Sequence, residues 1–120
     1  MTGAFALVVL LAACAAPEQS LLEQFFEASR LRDSTALQAV STVIFEPQQQ
    51  GIVRTFRITA VTLEGTDGQT ATKNVTIDAR VVLPDGRTVQ KMLVLTLQHA
   101  RGDDSARWMV TRVRDAEPSR

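Results

Sequence analysis

The second half of the chain alternates residue by residue, and this period of two constrains the fold more than any other feature of the sequence. Between 52 and 63, one alternating set is Ile52, Arg54, Phe56, Ile58 and Ala60, and the other is Val53, Thr55, Arg57, Thr59, Val61 and Leu63. β-branched residues dominate both sets, as they do on pleated, half-buried surfaces. The pattern therefore predicts a β-strand that begins at Ile52 and ends near Leu63.

Three further strands are predicted after the first. They are expected at about 71–83, 88–99 and 107–114, with turns at 64–68, 84–86 and 101–105. Pro84-Asp85-Gly86 is the strongest hairpin signal, because Gly86 can take the positive φ that a tight turn requires. In the last strand, alternation predicts Trp108 and Val110 on one face and Met109, Thr111 and Val113 on the other. Short turns between consecutive strands predict an antiparallel meander with one covered and one solvent-exposed face.

Two helices are predicted before this sheet. Apolar residues recur at helical spacing over about 18–32, namely Leu21, Leu22, Phe25, Phe26, Ala28 and Leu31. Ser20 and Glu23 have the spacing of a capping box at the start of that helix. Asp33-Ser34-Thr35 predicts a second start, at which any of the three residues could be the cap of a helix over about 34–41. A short strand at 43–45 and a loop at 48–51 are expected before Ile52. The predicted fold class is α+β, with two N-terminal helices packed on a curved antiparallel four-stranded meander.

The N-terminal segment has a different character from the rest. Residues 4–13 are almost wholly apolar and end in Leu11-Ala12-Ala13-Cys14, where Cys14 is the only cysteine of the chain. Ten residues suit the apolar region of a signal peptide and fall short of the roughly 20 that cross a bilayer as a helix. Met1-Thr2-Gly3 lacks the Lys or Arg with which signal peptides usually begin. The alternative is that residues 4–13 form a buried helix or strand of the domain.

The Leu-Ala-Ala-Cys sequence resembles the lipobox of bacterial lipoproteins. The resemblance implies cleavage between Ala13 and Cys14 and attachment of lipid, palmitate included, to Cys14. Several acyl chains would anchor the protein stably, since each buried methylene contributes about 0.8 kcal/mol. Ala15 rather than Asp follows the cysteine, which by the sorting habit of such lipoproteins implies the outer membrane and the periplasmic side. The expected segments are a signal peptide at 1–13, a tether at 14–19, one α+β domain at 20–114 and a frayed tail at 115–120.

The domain itself resembles the nuclear transport factor 2-like, or cystatin-like, superfamily, and in particular its small uncharacterised bacterial lipoproteins. The residues that carry the resemblance are Leu22-Glu23-Gln24-Phe25-Phe26-Glu27-Ala28, Arg32-Asp33-Ser34-Thr35-Ala36-Leu37 and Arg107-Trp108-Met109-Val110-Thr111-Arg112-Val113. Members fold as a curved sheet around helices, which makes a cone that can hold a pocket. The segment between the second helix and Ile52 is short here, so a third helix is expected to be missing and the pocket to be reduced.

Catalytic, metal-binding and cofactor-binding patterns are not apparent. His99 is the only histidine, the chain has no tyrosine, and lipid would block the Cys14 thiol. The aspartates Asp67, Asp85, Asp103 and Asp104 stand in separate predicted turns, where local hydrogen bonding accounts for them. A metal site needs several ligands that converge. We therefore expect no catalytic residues, no metal, no cofactor and no enzymatic activity.

The charge pattern argues against a nucleic-acid partner. Residues 15–50 carry five acidic and two basic residues, and the remainder carries eleven basic and eight acidic ones without a concentrated cluster. A nucleic-acid-binding protein usually presents a concentrated basic face. The basic residues of the strands are instead predicted to face solvent.

The leading functional hypothesis is a non-enzymatic binding or assembly module, anchored to the membrane through lipid on Cys14 and bound to an envelope protein by its exposed sheet face. The alternative is a carrier of a small apolar ligand, or a cryptic enzyme, with a pocket between helices and sheet lined by Phe25, Phe26, Phe56 and Trp108. A third hypothesis is a structural subunit of a secretion or conjugation machine, in which this fold occurs.

Overall fold

The computed structural model of this chain describes residues 18–67, 70–100 and 107–116. Its elements are α1 at 18–31, α2 at Ser34–Val40, β1 at Ile52–Asp67, β2 at Thr70–Val82, β3 at Thr88–Ala100 and β4 at Trp108–Asp115. The strands form one four-stranded sheet in the order β1-β2-β3-β4, with every pair antiparallel. The predicted α+β class, the two helices and the four-stranded meander are confirmed.

One face of the sheet, called here the inner face, packs on the helices. Its fully buried residues are Val75, Ile77, Ala79 and Val81 on β2 and Leu93, Leu95 and Leu97 on β3, against Leu22, Phe25 and Phe26 of α1. The pairing of β2 with β3 has no register shift, so the alternation of each strand keeps these side chains on one side. Burial of each large side chain contributes about 1.5–3 kcal/mol, which makes this interface the main source of stability.

β1 does not keep the simple alternation predicted for it. Its pairing with β2 shifts register between Val53/Thr55, Ile58/Ala60 and Leu63/Gly65. Each shift inserts one residue and exchanges the two faces of the strand. As a result the inner face holds Val53, Phe56, Ile58, Val61 and Leu63, which pair with inner residues of β2. The predicted division of β1 into two faces is therefore wrong, because the first two shifts bring apolar residues from both alternating sets to the inner face.

A bulge also changes the faces of β4. Leu97 pairs with Val110, but the next residue back, Thr96, pairs with Arg112, so Thr111 is inserted. Val113 consequently pairs with Leu95 and joins Val110 in the core. The prediction that Val113 lies opposite Val110 is wrong for this reason.

The junction between the helices depends on a left-handed residue. Arg32 has φ 54°, and the backbone N–H groups of Arg32 and Asp33 donate to the carbonyls of Ser29 and Ala28 at 3.1 and 3.0 Å. This closes α1 with the hydrogen bonds of a Schellman-type cap. Asp33 is the N-cap of α2, and its Oδ1 accepts from the backbone N–H of Ala36 at 3.1 Å. Of the three residues that could have begun α2, the structure selects the first.

The capping box predicted at the start of α1 is wrong, because residue 18 is already helical. Ser20 therefore lies within the helix, where its hydroxyl accepts from the side-chain amide of Gln24 at 3.3 Å. The Glu23 carboxylate accepts from the side-chain amide of Gln19 at 2.8 Å. Glu18 and Gln19, placed by sequence in the tether, belong to α1.

The segment between α2 and β1 has no regular structure. Residues 43–45, predicted as a strand, are not one; the only β contact there is an isolated parallel bridge between Ser41 and Val110. Phe45 is nevertheless buried, and its backbone N–H donates to the Ser29 hydroxyl at 3.0 Å. Gly51 has φ 104°, and a Cβ there would lie 2.4 Å from the Val82 carbonyl oxygen, so only glycine fits where the chain enters β1.

The predicted turns have different outcomes. Gly86 has φ 96°, and the hairpin at 84–86 is confirmed. Residues 64–67 continue β1 and are not a turn; the remaining turn residues 68–69 and 101–105 lie outside the described residues. At the other end of the sheet β4 includes Asp115, and the backbone N–H of Ala116 donates to the Met92 carbonyl at 2.9 Å.

Candidate functional site

Four phenylalanines form a cluster between α1 and the sheet. The ring centroid of Phe26 lies 5.1 Å from that of Phe25, 5.5 Å from Phe45 and 5.6 Å from Phe56. Phe25 is fully buried, and Phe26 is 6% exposed. Three of the four predicted pocket residues are thus brought together, but their rings pack on one another and fill the space between helix and sheet.

A surface groove touches two of these rings. It has a volume of about 200 Å³ and is lined by Glu23, Phe26, Glu27, Arg30, Val53, Arg54 and Phe56. Ligand pockets are usually enclosed, mostly apolar and about 300–1,000 Å³ in volume. The charged groups of this groove and its small size suit a solvated helix–strand junction better than a carrier site for an apolar ligand.

Trp108, the fourth predicted pocket residue, lies at the other end of the inner face. It pairs with His99, which pairs with Ala71, whereas Phe56 pairs with Ala79. Eight residues of β2 separate the two levels, which is roughly 25 Å along the strand. Trp108 therefore belongs to a different neighbourhood from Phe56.

That neighbourhood contains the most buried ion pair of the described residues. The Lys73 ammonium lies 4.0 Å from the ring centroid of Trp108 and 2.5 Å from Oε2 of Glu18. The Lys73 and Glu18 side chains are only 13% and 11% exposed. The His99 ring packs against Trp108 with centroids 5.2 Å apart. The expectation that basic residues of the strands face solvent is wrong for Lys73, which the register places on the inner face.

The opposite surface of the sheet, called here the outer face, gathers basic residues that are dispersed in the sequence. Arg57 on β1, Arg80 on β2, and Arg112 and Arg114 on β4 pair with outer residues, as does Asp78 on β2. All four arginines are exposed. Arg57 lies 3.7 Å from the Asp78 carboxylate. The outer face of the described strands therefore has an excess of positive charge.

Hydroxyl and amide groups occupy much of the remaining outer face. The Thr96 hydroxyl donates to Oδ1 of Asn74 at 2.8 Å, and the Gln90 side-chain amide donates to Oδ1 of Asp78 at 2.9 Å. Met92 is the large apolar residue exposed among them, at 47%. A flat, hydrogen-bonding surface with positive charge and one exposed methionine is chemically suited to a protein partner.

The exposed sheet face was expected from the sequence to bind a partner, but its excess of positive charge was not predicted. The four arginines come from three strands, and their separation in sequence hides their proximity. The only signal available was the excess of basic residues after residue 50. The register of the strands converts that weak excess into one charged surface.

Chemistry at titratable groups is limited in the described residues. No group of three or more His, Cys, Asp or Glu side chains lies close enough there to hold a metal ion. The backbone N–H of Arg87, with its guanidinium, donates to Asp85 and holds the pKa of that carboxyl below its usual value. Asp85 is exposed in the β2–β3 turn, so this shift reflects turn geometry.

The predicted cleavage and lipid-attachment residues, Ala13 and Cys14, lie outside the described residues. Within the described part of the chain, neither helix has the length and apolarity to cross a membrane. The chain matches no protein-family model, no curated protein and no solved structure.

Proposed function

We propose that this protein is a lipoprotein of the bacterial envelope, anchored by lipid on Cys14 to the outer membrane and facing the periplasm, whose single domain binds a partner protein without catalysing a reaction. The Leu-Ala-Ala-Cys sequence supports the anchor. The finer part of the fold proposal is nuclear transport factor 2-like, supported by two helices that precede a four-stranded meander and pack on one of its faces.

The observation that carries the binding role is the outer face. The four exposed arginines and Asp78 lie on it, together with hydrogen-bonding side chains and the exposed Met92. Such a surface complements a partner that presents acidic and hydrogen-bonding groups, and charge complementarity mainly accelerates and orients association. The partner class that fits is an envelope protein with an acidic patch.

The alternative of an apolar-ligand carrier or cryptic enzyme has less support. Phe25, Phe26 and Phe56, three of the residues proposed to line its pocket, pack into the aromatic cluster. Filled space between helix and sheet leaves a ligand no apolar volume to occupy without displacing core side chains.

Photo-crosslinking from the outer face tests the binding role. A benzoylphenylalanine placed at Met92 reports on the outer face, and the same group at Leu31, which is 57% exposed at the end of α1, is a matched control. We expect a discrete crosslinked product in the envelope from position 92 and none from position 31. Charge reversal at Arg80 and Arg114, which flank Met92, should weaken the product.

Equal crosslinking from both positions, or none above background at position 92, would argue against the outer face as a binding surface. The anchor has a separate test, the intact mass of the N-terminal peptide from the membrane fraction. Acyl mass on Cys14, lost together with membrane retention in Cys14→Ala, is the expected result. A free Cys14 thiol in an uncleaved soluble chain would refute the anchor.

A further inference from the structure

At one end of the inner face, called here the open end, the exposed apolar side chains of Val61 and Leu63 lie at the same level as Lys73, His99 and Trp108. Val61 and Leu63 are on the inner face because they pair with Val75 and Lys73. They are nevertheless 45% and 66% exposed. On the same face, toward Phe56, the side chains are covered by α1, so the apolar surface continues past the part that the helices bury.

Glu18, the first described residue of α1, lies beside this open end. Glu18 is held to Lys73 by the ion pair of 2.5 Å, and Lys73 is the direct cross-strand neighbour of Leu63. Cys14 precedes Glu18 by four residues, and four residues of fully extended chain span at most about 14 Å. A lipid on Cys14 that is inserted in a bilayer therefore keeps the open end close to the bilayer surface.

The chemistry of the open end fits a lipid surface. Exposed Leu and Val side chains gain from contact with the boundary between headgroups and acyl chains, and Trp is favoured there because its ring is apolar with one polar edge. The Lys73 charge is already paired with Glu18. Apolar contact and the short tether, rather than attraction to anionic headgroups, would hold the contact, because tethering raises the effective concentration of the surface.

We propose that the open end docks on the surface of the bilayer that holds the Cys14 lipid, so that the domain stands with its strands directed away from the membrane. This inference rests on the proposed lipid anchor. The 13 residues of β2 then lift the 84–86 turn roughly 40 Å from the membrane. The outer face remains free along that length for a partner.

Trp108 is the only tryptophan of the chain and lies in the open end, so its fluorescence tests the proposal directly. The lipidated protein is reconstituted in vesicles of phosphatidylethanolamine and phosphatidylglycerol, with and without bromine on the acyl chains. We expect brominated lipid to lower Trp108 emission roughly twofold, as for a residue at the bilayer interface. Leu63→Asp should restore the emission, whereas Met92→Asp, at an exposed residue of the outer face, should not. Equal Trp108 emission of all three proteins in detergent verifies that the substitutions leave the fold intact.

The possible failures are distinguishable. Acylated Cys14 with unquenched Trp108 would overturn the docking and leave the anchor standing. If Met92→Asp restored Trp108 emission as completely as Leu63→Asp does, the open end would not be the docking surface. Absence of acyl mass on Cys14 would overturn both the anchor and the orientation that depends on it.

Discussion

Lys73 of β2 and Glu18 of α1 are joined across 55 residues of sequence by an ion pair of 2.5 Å that is almost completely enclosed. Each partner loses most of its hydration in the folded protein, and the attraction between the two charges offsets the free-energy cost of that dehydration. The Trp108 ring beneath the ammonium adds a cation–π contact. This pair joins the first described residue of α1 to the sheet beside the open end.

Removing the ammonium should therefore destabilise the fold strongly. Lys73→Met leaves the Glu18 carboxylate enclosed without a partner, and we expect the free energy of unfolding to fall by about 3 kcal/mol. Lys91→Met is the control, because Lys91 pairs at 3.4 Å with an Asp115 side chain that is 60% exposed. Lys91→Met should lower the free energy of unfolding by less than about 1 kcal/mol. Urea titration of the unlipidated Cys14→Ala background measures both, and equal losses would mean that the Lys73 pair is not structurally important.

Phe26 is the centre of the aromatic cluster, with three rings within 5.6 Å of its own. Phe26→Ala should lower the free energy of unfolding by about 3–5 kcal/mol, since it removes the buried ring and leaves a cavity among the others. Leu31→Ala, at a residue of the same helix that is 57% exposed, should change it by less than about 0.5 kcal/mol. Urea titration measures both losses. Equal losses for Phe26→Ala and Leu31→Ala would contradict the central role of Phe26 in the cluster.

Arg32 allows a test of backbone strain, because its φ of 54° lies in the region that favours glycine. Both Arg32→Gly and Arg32→Ala remove the ion pair between Arg32 and Glu46. They differ in that glycine adopts the left-handed conformation without a steric penalty. We expect Arg32→Gly to be more stable than Arg32→Ala by about 1 kcal/mol in thermal or urea unfolding. An alanine variant as stable as the glycine variant would show that the left-handed cap is not retained.

Asp85 predicts a small acid-dependent effect at the β2–β3 turn. Its pKa is lowered from 3.8, chiefly by the hydrogen bond from the Arg87 backbone N–H. A carboxyl whose folded-state pKa is depressed stabilises the fold above its unfolded pKa, and that contribution disappears as the pH falls through the folded value. The free energy of unfolding of Asp85→Asn should therefore fall less steeply below about pH 4 than that of the unsubstituted protein. Carbon-detected NMR titration of the Asp85 carboxyl checks the direction, and a midpoint at or above 3.8 would contradict it.

Local sequence signals located most of the secondary structure. The helical spacing of Leu22, Phe25 and Phe26 and the Pro84-Asp85-Gly86 turn act over a few residues, and both predictions hold. The faces of β1 and β4 were not predictable in the same way. A bulge arises where one strand must match another whose residues are distant in the chain, and a single inserted residue reverses every later position.

The candidate sites also differ in how far the sequence alone could predict them. The Leu-Ala-Ala-Cys box is contiguous, so the anchor proposal depends on sequence alone. The aromatic cluster was partly foreseen, because Phe25 and Phe26 are adjacent on one helix, but Trp108 was grouped with them although Phe56 and Trp108 lie at distant levels of the sheet. Apolar character indicates that a ring is buried or half-buried without indicating which other rings it meets.

The sequence by itself determined the order of helices and strands, the hairpin at Gly86 and the apolar composition of the core, because propensity, period and turn chemistry act locally. Only the tertiary structure decided that Lys73 meets Glu18, that the four arginines share the outer face and that Val61 and Leu63 remain exposed on the inner one. These relationships depend on strand register and on where α1 lies across the sheet, and both are set by long-range packing of residues that the chain keeps far apart.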